Sequence, residues 1–150
     1  MKHFQAFLAK GFPVRLRLLE RIRFAHHGLN ALDYNNSDAL VDSLAKHLSL
    51  ILNTHQGSSV SAPDYGIPDF ASLTSLTDLE SVRELARILT EVVRKYEPRL
   101  KNAVVTHSAG NQETGVLEFS LNGQVELNDE VRNIFFATAI TPDGKITVNK

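Results

Sequence analysis

Cysteine is absent from the 150 residues, which removes disulfides, Cys-containing zinc sites and thiol catalysis. No apolar run approaches the roughly 18 residues of a membrane span. The first ten residues interleave charged and apolar side chains, unlike the uninterrupted apolar core of a secretory signal. Phosphate-cradling loops are missing too: neither Gly-x-Gly-x-x-Gly nor a Walker-type sequence occurs. No serine stands in a Gly-x-Ser-x-Gly elbow. The six histidines form neither His-Glu-x-x-His nor a His-x-x-x-His pair, so no metal site is expected. A net charge of −1 excludes a uniformly basic nucleic-acid binder.

What is present suits one globular domain. Hydrophobic residues make up 43% and charged residues 22%, ordinary soluble usage. A chain of this length buries roughly 70% of its unfolded surface and needs no covalent staples. The small net charge hides an asymmetry. Residues 1–24 carry Lys2, Lys10, Arg15, Arg17, Arg21 and Arg23 against Glu20 alone, a net +5 that leaves −6 on the remainder. Such a basic head is either an electrostatic docking segment or a solvated helix face. Residues 1–13 are taken as a basic N-terminal segment and 14–150 as a single domain.

Hydrophobic period supplies the elements. Val14, Leu18, Leu19 and Ile22 recur at helical spacing, which predicts a short amphipathic helix over 14–25, with Pro13 suited to its first turn. Leu40, Val41, Leu44, Leu48, Ile51 and Leu52 form one apolar stripe behind the N-cap Ser37, predicting a second helix that ends between Asn53 and Gly57. A third helix follows the capping-box pair Thr77 and Glu80 and stops before Pro98. After Pro98 the period falls to two. Strands are predicted at 103–107, from 116 on past Gly123, at 131–140 and at 145–148, joined by hairpin-length turns. Helices followed by strands predict an α+β fold, with N-terminal helices and a mainly antiparallel sheet of about four strands.

Two segments stand out. In the long polar loop, Pro63-Asp64-Tyr65-Gly66-Ile67-Pro68-Asp69 has its path fixed by two prolines and a glycine, and Ile67 must be extended before Pro68. Such a stiff loop either covers the core or meets a partner, with Tyr65 as a rigid contact. At the helix-to-strand junction, Tyr96-Glu97-Pro98-Arg99-Leu100 is locked by Pro98. An extended Glu97–Arg99 stretch puts both charges on one side. Arg99 then either pairs with Glu97 within the chain or offers its five-donor guanidinium to another chain.

These pieces in order resemble the phage baseplate wedge, or lysozyme-like, family, and especially its type VI secretion branch. Leu18-Leu19-Glu20-Arg21-Ile22 resembles the family's N-terminal helix motif. Asn53-Thr54-His55-Gln56-Gly57 with Asp64-Tyr65-Gly66-Ile67-Pro68-Asp69 resembles its central signature, and Tyr96-Glu97-Pro98-Arg99-Leu100 its Glu-Pro-Arg motif. His55 and Gln56 stand where relatives often carry arginine. The resemblance implies a cytoplasmic, non-enzymatic structural subunit of a contractile injection machine. Its implied partners are the wedge subunits TssF and TssG, with TssK, and the sheath subunits TssB and TssC; neither nucleic acid nor membrane insertion is implied. It assigns Glu97, Pro98 and Arg99 to wedge and sheath assembly, with Asp64, Tyr65, Gly66, Pro68 and Asp69 beside them. No catalytic residue, metal or cofactor comes with it. A sheet edge near Lys145 and Lys150 is expected to stand open for strand addition. The alternatives are a small peptidoglycan glycosidase and an anti-adaptor regulator of similar fold.

Overall fold

A computed structural model describes residues 17–26, 37–69, 79–111, 115–127 and 130–150. Among the described residues three helices come first: α1 (Leu18–His26), α2 (Ser37–Leu52) and α3 (Leu79–Tyr96). Four strands follow: β1 (Lys101–Asn111), β2 (Val116–Leu127), β3 (Glu130–Ile140) and β4 (Ile146–Asn149). They pair antiparallel in the order β1-β2-β3-β4, as short links between consecutive strands require. The α+β class is as expected. Pro13, Val14, the boundary at residue 13 and the Thr77 cap lie outside the described residues.

β1 is longer than local sequence indicates. Gly110 and Asn111 read as turn residues, yet Asn111 still pairs with Val116, across a register shift between Ser108 and Asn111. The shift sets one extra residue of β1 against β2, as a bulge does.

One side of the sheet carries the core. Alternation along β2 turns Phe119, Leu121, Val125 and Leu127 inward, where they meet Leu44, Leu48 and Ile51 of α2 and Leu85, Leu89 and Val93 of α3. Gly123 interrupts this row for a reason. Leu100 passes so close that a Cβ at position 123 would lie 2.5 Å from its Cγ. Leu100 is 2% exposed, so the residue ending the Glu-Pro-Arg corner anchors it to the core. The outer face joins Asn102, Gln124 and Asn133 in a side-chain ladder and also carries the exposed apolar side chains of Val104, Val131 and Phe135.

The sheet edges correct one expectation. Asn53, just past α2, donates to the carbonyl of Ile146 at 2.7 Å and accepts from its N–H at 2.9 Å, so β4 is bonded on its outer side. Lys150 also pairs with Asp42 of α2. On β1, Arg94 donates to the Ala103 carbonyl at 2.7 Å, and the Val105 N–H donates to Thr90 at 2.9 Å. Helices of this chain engage both outer strands at these positions, which removes the open-edge reading there. Edge groups with partners no longer template another strand.

Candidate functional site

The site grows from the corner after α3. Its N–H bonded to Val93, Glu97 closes the helix, and Pro98 prevents another turn. Pro98 and Arg99 form a turn in place of the extended stretch expected, closed by the Leu100 N–H donating to the Glu97 carbonyl at 3.1 Å, and this turn brings the Glu97 and Arg99 side chains together. Nε and Nη2 of Arg99 grip the two Glu97 oxygens at 2.7 and 2.6 Å in a side-on fork. The Arg99 N–H adds a longer bond at 3.3 Å.

Glu97 is 1% exposed yet ionised. Burial pushes its carboxyl upward, but the hydrogen bonds from Arg99 and His47 outweigh burial and hold it down at about 2. His47 Nδ1 stands 2.7 Å from Oε2. An ionised carboxylate only accepts, so Nδ1 carries the proton. The third Arg99 nitrogen, Nη1, donates to Ser43 at 2.8 Å. The Ser43 hydroxyl in turn donates to Glu20 of α1, whose two oxygens lie 2.9 and 2.8 Å away. One chain of hydrogen bonds thus joins α1, α2 and the corner. The intramolecular Glu97–Arg99 pair is realised and extends beyond the two residues that suggested it.

Sequence reading missed Glu20, Ser43 and His47 as members of this network. Ser43 and His47 stand one turn apart beside the apolar stripe of α2. That spacing was the one available signal, because it puts two polar groups at the margin of a buried face.

The stiff loop is fastened to the end of α2. Ile67 donates its N–H to Thr54 at 2.8 Å and accepts from Gln56 at 2.9 Å, forming a parallel bridge with the His55 position. The Gln56 side chain holds the Gly66 carbonyl at 3.2 Å. His55 and Gln56, at the place where arginine was looked for, thus help seat the loop. Gly66 has φ +96°, and an added Cβ would lie 2.1 Å from the Thr54 carbonyl oxygen. Only glycine fits both the turn and the approach. Ile67 is buried at 2% exposure, so the loop does cover the core.

Its outer side meets α3. Asp64 pairs with Lys95, and Lys95 with Tyr96 pull its carboxyl below the ordinary range. The rings of Tyr65 and Tyr96 stack edge to face at 5.0 Å. Burial raises the Tyr65 hydroxyl, with Arg17 opposing and Glu97 assisting, so Tyr65 lies within the field of the corner. The two segments singled out from the sequence therefore form one surface. Asp64, Tyr65, Glu97 and Arg99 converge; Gly66 points inward; Pro68 and Asp69 continue along the loop, with Pro98 exposed at the corner.

This arrangement is poor acid–base machinery. A general acid needs a carboxyl held above its usual range, whereas Asp42, Asp64, Glu84, Glu97 and Asp143 are all held below it. Among the described residues no three His, Asp or Glu side chains gather as a metal ion would need.

Residues 38–130 match the family model for the baseplate wedge protein gp25. The chain belongs to the gp25 baseplate wedge family. It is accordingly a wedge component of a contractile tail or injection structure. The match spans α2, the fastened loop, the corner and the sheet through the start of β3. A crystal structure from Geobacter sulfurreducens, titled provisionally as a tail lysozyme, shares the fold with TM-score 0.52. It is 21% identical, and the alignment covers 65% of this chain and 87% of that one. No curated protein sequence matches. Among the described residues, no helix is long and apolar enough to cross a membrane.

Proposed function

We propose that this gp25-family chain is TssE, the small baseplate subunit of a type VI secretion system. In this reading it works in the cytoplasm, joins TssF and TssG in the wedge beside TssK, and helps the TssB–TssC sheath begin. One observation carries the proposal. The central loop and the Glu-Pro-Arg corner are fused into a single rigid surface around an internal ion pair. A preorganised surface suits assembly, because little side-chain freedom is lost on contact.

These residues take distinct parts. Glu97 and Arg99 hold the corner, and Pro98, Asp64, Tyr65, Pro68 and Asp69 supply the contact, with Gly66 setting the loop's path. The depressed carboxyls argue against a peptidoglycan glycosidase. Co-expression with TssF and TssG tests the reading. A co-purifying wedge complex is expected, and Asp64→Ala, which removes only an exposed ion pair, should weaken it while melting close to the parent. A clearing band on a peptidoglycan zymogram, or capture of a response regulator in place of wedge subunits, would sink the proposal.

A further inference from the structure

The outer face of the sheet is built of rows in which bulky side chains lie beside small ones. Antiparallel register sets Val104, Asn122 and Phe135 side by side across β1, β2 and β3. Two residues along, about 7 Å away, Thr106, Ser120, Ala137 and Asn149 form the next row across all four strands. Beyond the bulky row lies the amide ladder of Asn102, Gln124 and Asn133. Beyond the small row lie Ser108, Glu118, Ala139 and Thr147. Phe135 is 52% exposed and Val104 41%. Glu118 is the one charged residue of these four rows, although charged residues make up 22% of the chain. A solvated surface is about 25–35% charged. A face depleted of charge, with an aromatic ring near its centre, has the composition of an interface core instead.

We propose that this face packs against the same face of a second copy of the chain. Self-complementarity selects that occupant. A two-fold axis running across the strands, midway between the bulky and the small row, sets each bulky row on the small row of the other copy. Phe135 then stands over Ala137 of the second copy, Asn122 over Ser120 and Val104 over Thr106. The same operation sets the Gln124 amide opposite Glu118, so the one charge of the face meets a donor and not its own copy. Packed sheets lie about 10 Å apart with strands within about 30° of each other, so the matching holds best in the two rows that flank the axis. Area sets the strength. β1 to β3 run 11 or 12 residues and β4 runs 4. At about 3.4 Å per residue and about 4.8 Å between strands, the face spans roughly 600 Å². Two copies bury roughly 1,200 Å², the lower bound of specific interfaces, so the dimer is weak and reversible. A partner with a strongly charged surface is disfavoured, because its charges would lose water and find no counter-charge. The inference makes no use of the assembly reading.

Sedimentation velocity of the full chain over about 1–200 μM tests it, and the parent should pass from monomer to dimer as concentration rises. Ala137→Glu puts a carboxylate under Phe135 of the second copy and should raise the dissociation constant at least about tenfold. Phe135→Lys removes the apolar anchor and should weaken the dimer likewise. Both positions are exposed, so both variants should melt close to the parent. Mixed in equal amounts, the two variants should dimerise again. The introduced carboxylate of one then faces the introduced ammonium of the other, while Phe135 and Ala137 still meet at the symmetry-related contact. The stated axis is what brings positions 135 and 137 of different copies together. A parent that is monomeric throughout, a dimer indifferent to Ala137→Glu, or two monomeric variants that fail to recover on mixing overturns the proposal. So does a monomeric parent whose co-purification with TssF and TssG is lost in Ala137→Glu, which would assign the face to a different protein. Sedimentation of the chain alone involves no wedge or sheath subunit, so the dimer can fail while the TssE reading stands.

Discussion

Glu97 keeps a negative charge while almost none of its side chain touches water. Such a charge is tolerable only when paired and hydrogen-bonded, and removing one partner of a buried pair costs about 3–5 kcal/mol. Arg99→Ala and Glu97→Ala should each destabilise by that order, and the double variant by clearly less than their sum. Arg99→Lys should recover little, because an ammonium cannot reproduce the side-on fork. Additive losses in urea melts of the four proteins would show the pair to be uncoupled. The same carboxyl gives a pH signature. Its folded value of about 2 lies below the usual 4.5, so its contribution is present above about 4.5 and lost as pH falls through 2. The contribution amounts to roughly 3 kcal/mol. Between pH 5 and 2 the parent should lose stability more steeply than Glu97→Gln; parallel curves would deny the depressed value. The pairing was legible in the sequence, because Pro98 fixes the direction of two residues only two positions apart. Ser43 and His47 were not, since they join from 56 and 50 residues away and depend on how α2 lies against the corner.

At the scale of elements, periodicity located every described helix and strand, and failed where pairing or packing overrides local preference. Strand β1 runs through residues that favour turns because its partner continues beside it. The apolar spacing of α1 marked an amphipathic helix, but spacing is silent on which way a helix turns, and the Glu20–Ser43 bond decides it. The loop at 63–69 was recognised as stiff from its two prolines and its glycine, but the close approach of Gly66 to the Thr54 carbonyl was not legible. Gly66 and Gly57 make a controlled comparison. Both have positive φ, +96° and +83°, but only Gly66 would drive a Cβ into backbone, while Gly57 has open space. Gly57→Ala should cost about 1 kcal/mol for the backbone alone. Gly66→Ala should exceed that by at least about 2 kcal/mol, because the Thr54 carbonyl belongs to the bridge that holds the loop. Equal melting temperatures would mean that the loop yields without loss, and the rigid-surface argument would fall with it.

For the whole molecule the division between core and charge is the useful one. Every buried apolar side chain among the described residues lies between Leu40 and Ile146, and the family match begins at residue 38. The net +5 of residues 1–24 stands ahead of that core, against −6 on the rest. Deleting residues 1–12 removes Lys2 and Lys10 and keeps the Glu20–Ser43 attachment of α1. If these residues serve docking, folding should hardly register their loss. A cost under about 1 kcal/mol corresponds to a melting shift below about 4 °C for a chain of this size. Association with the wedge subunits should weaken, chiefly through a slower on-rate, because a charged segment steers encounter more than it holds the complex. The gap between parent and truncated protein should then close as salt is added, since exposed charges are screened within about 10 Å at 0.1 M ionic strength. A truncated chain that unfolds would place the segment in the core. One that binds at the parental rate at low salt would make its charge a solvated surface with no part in docking.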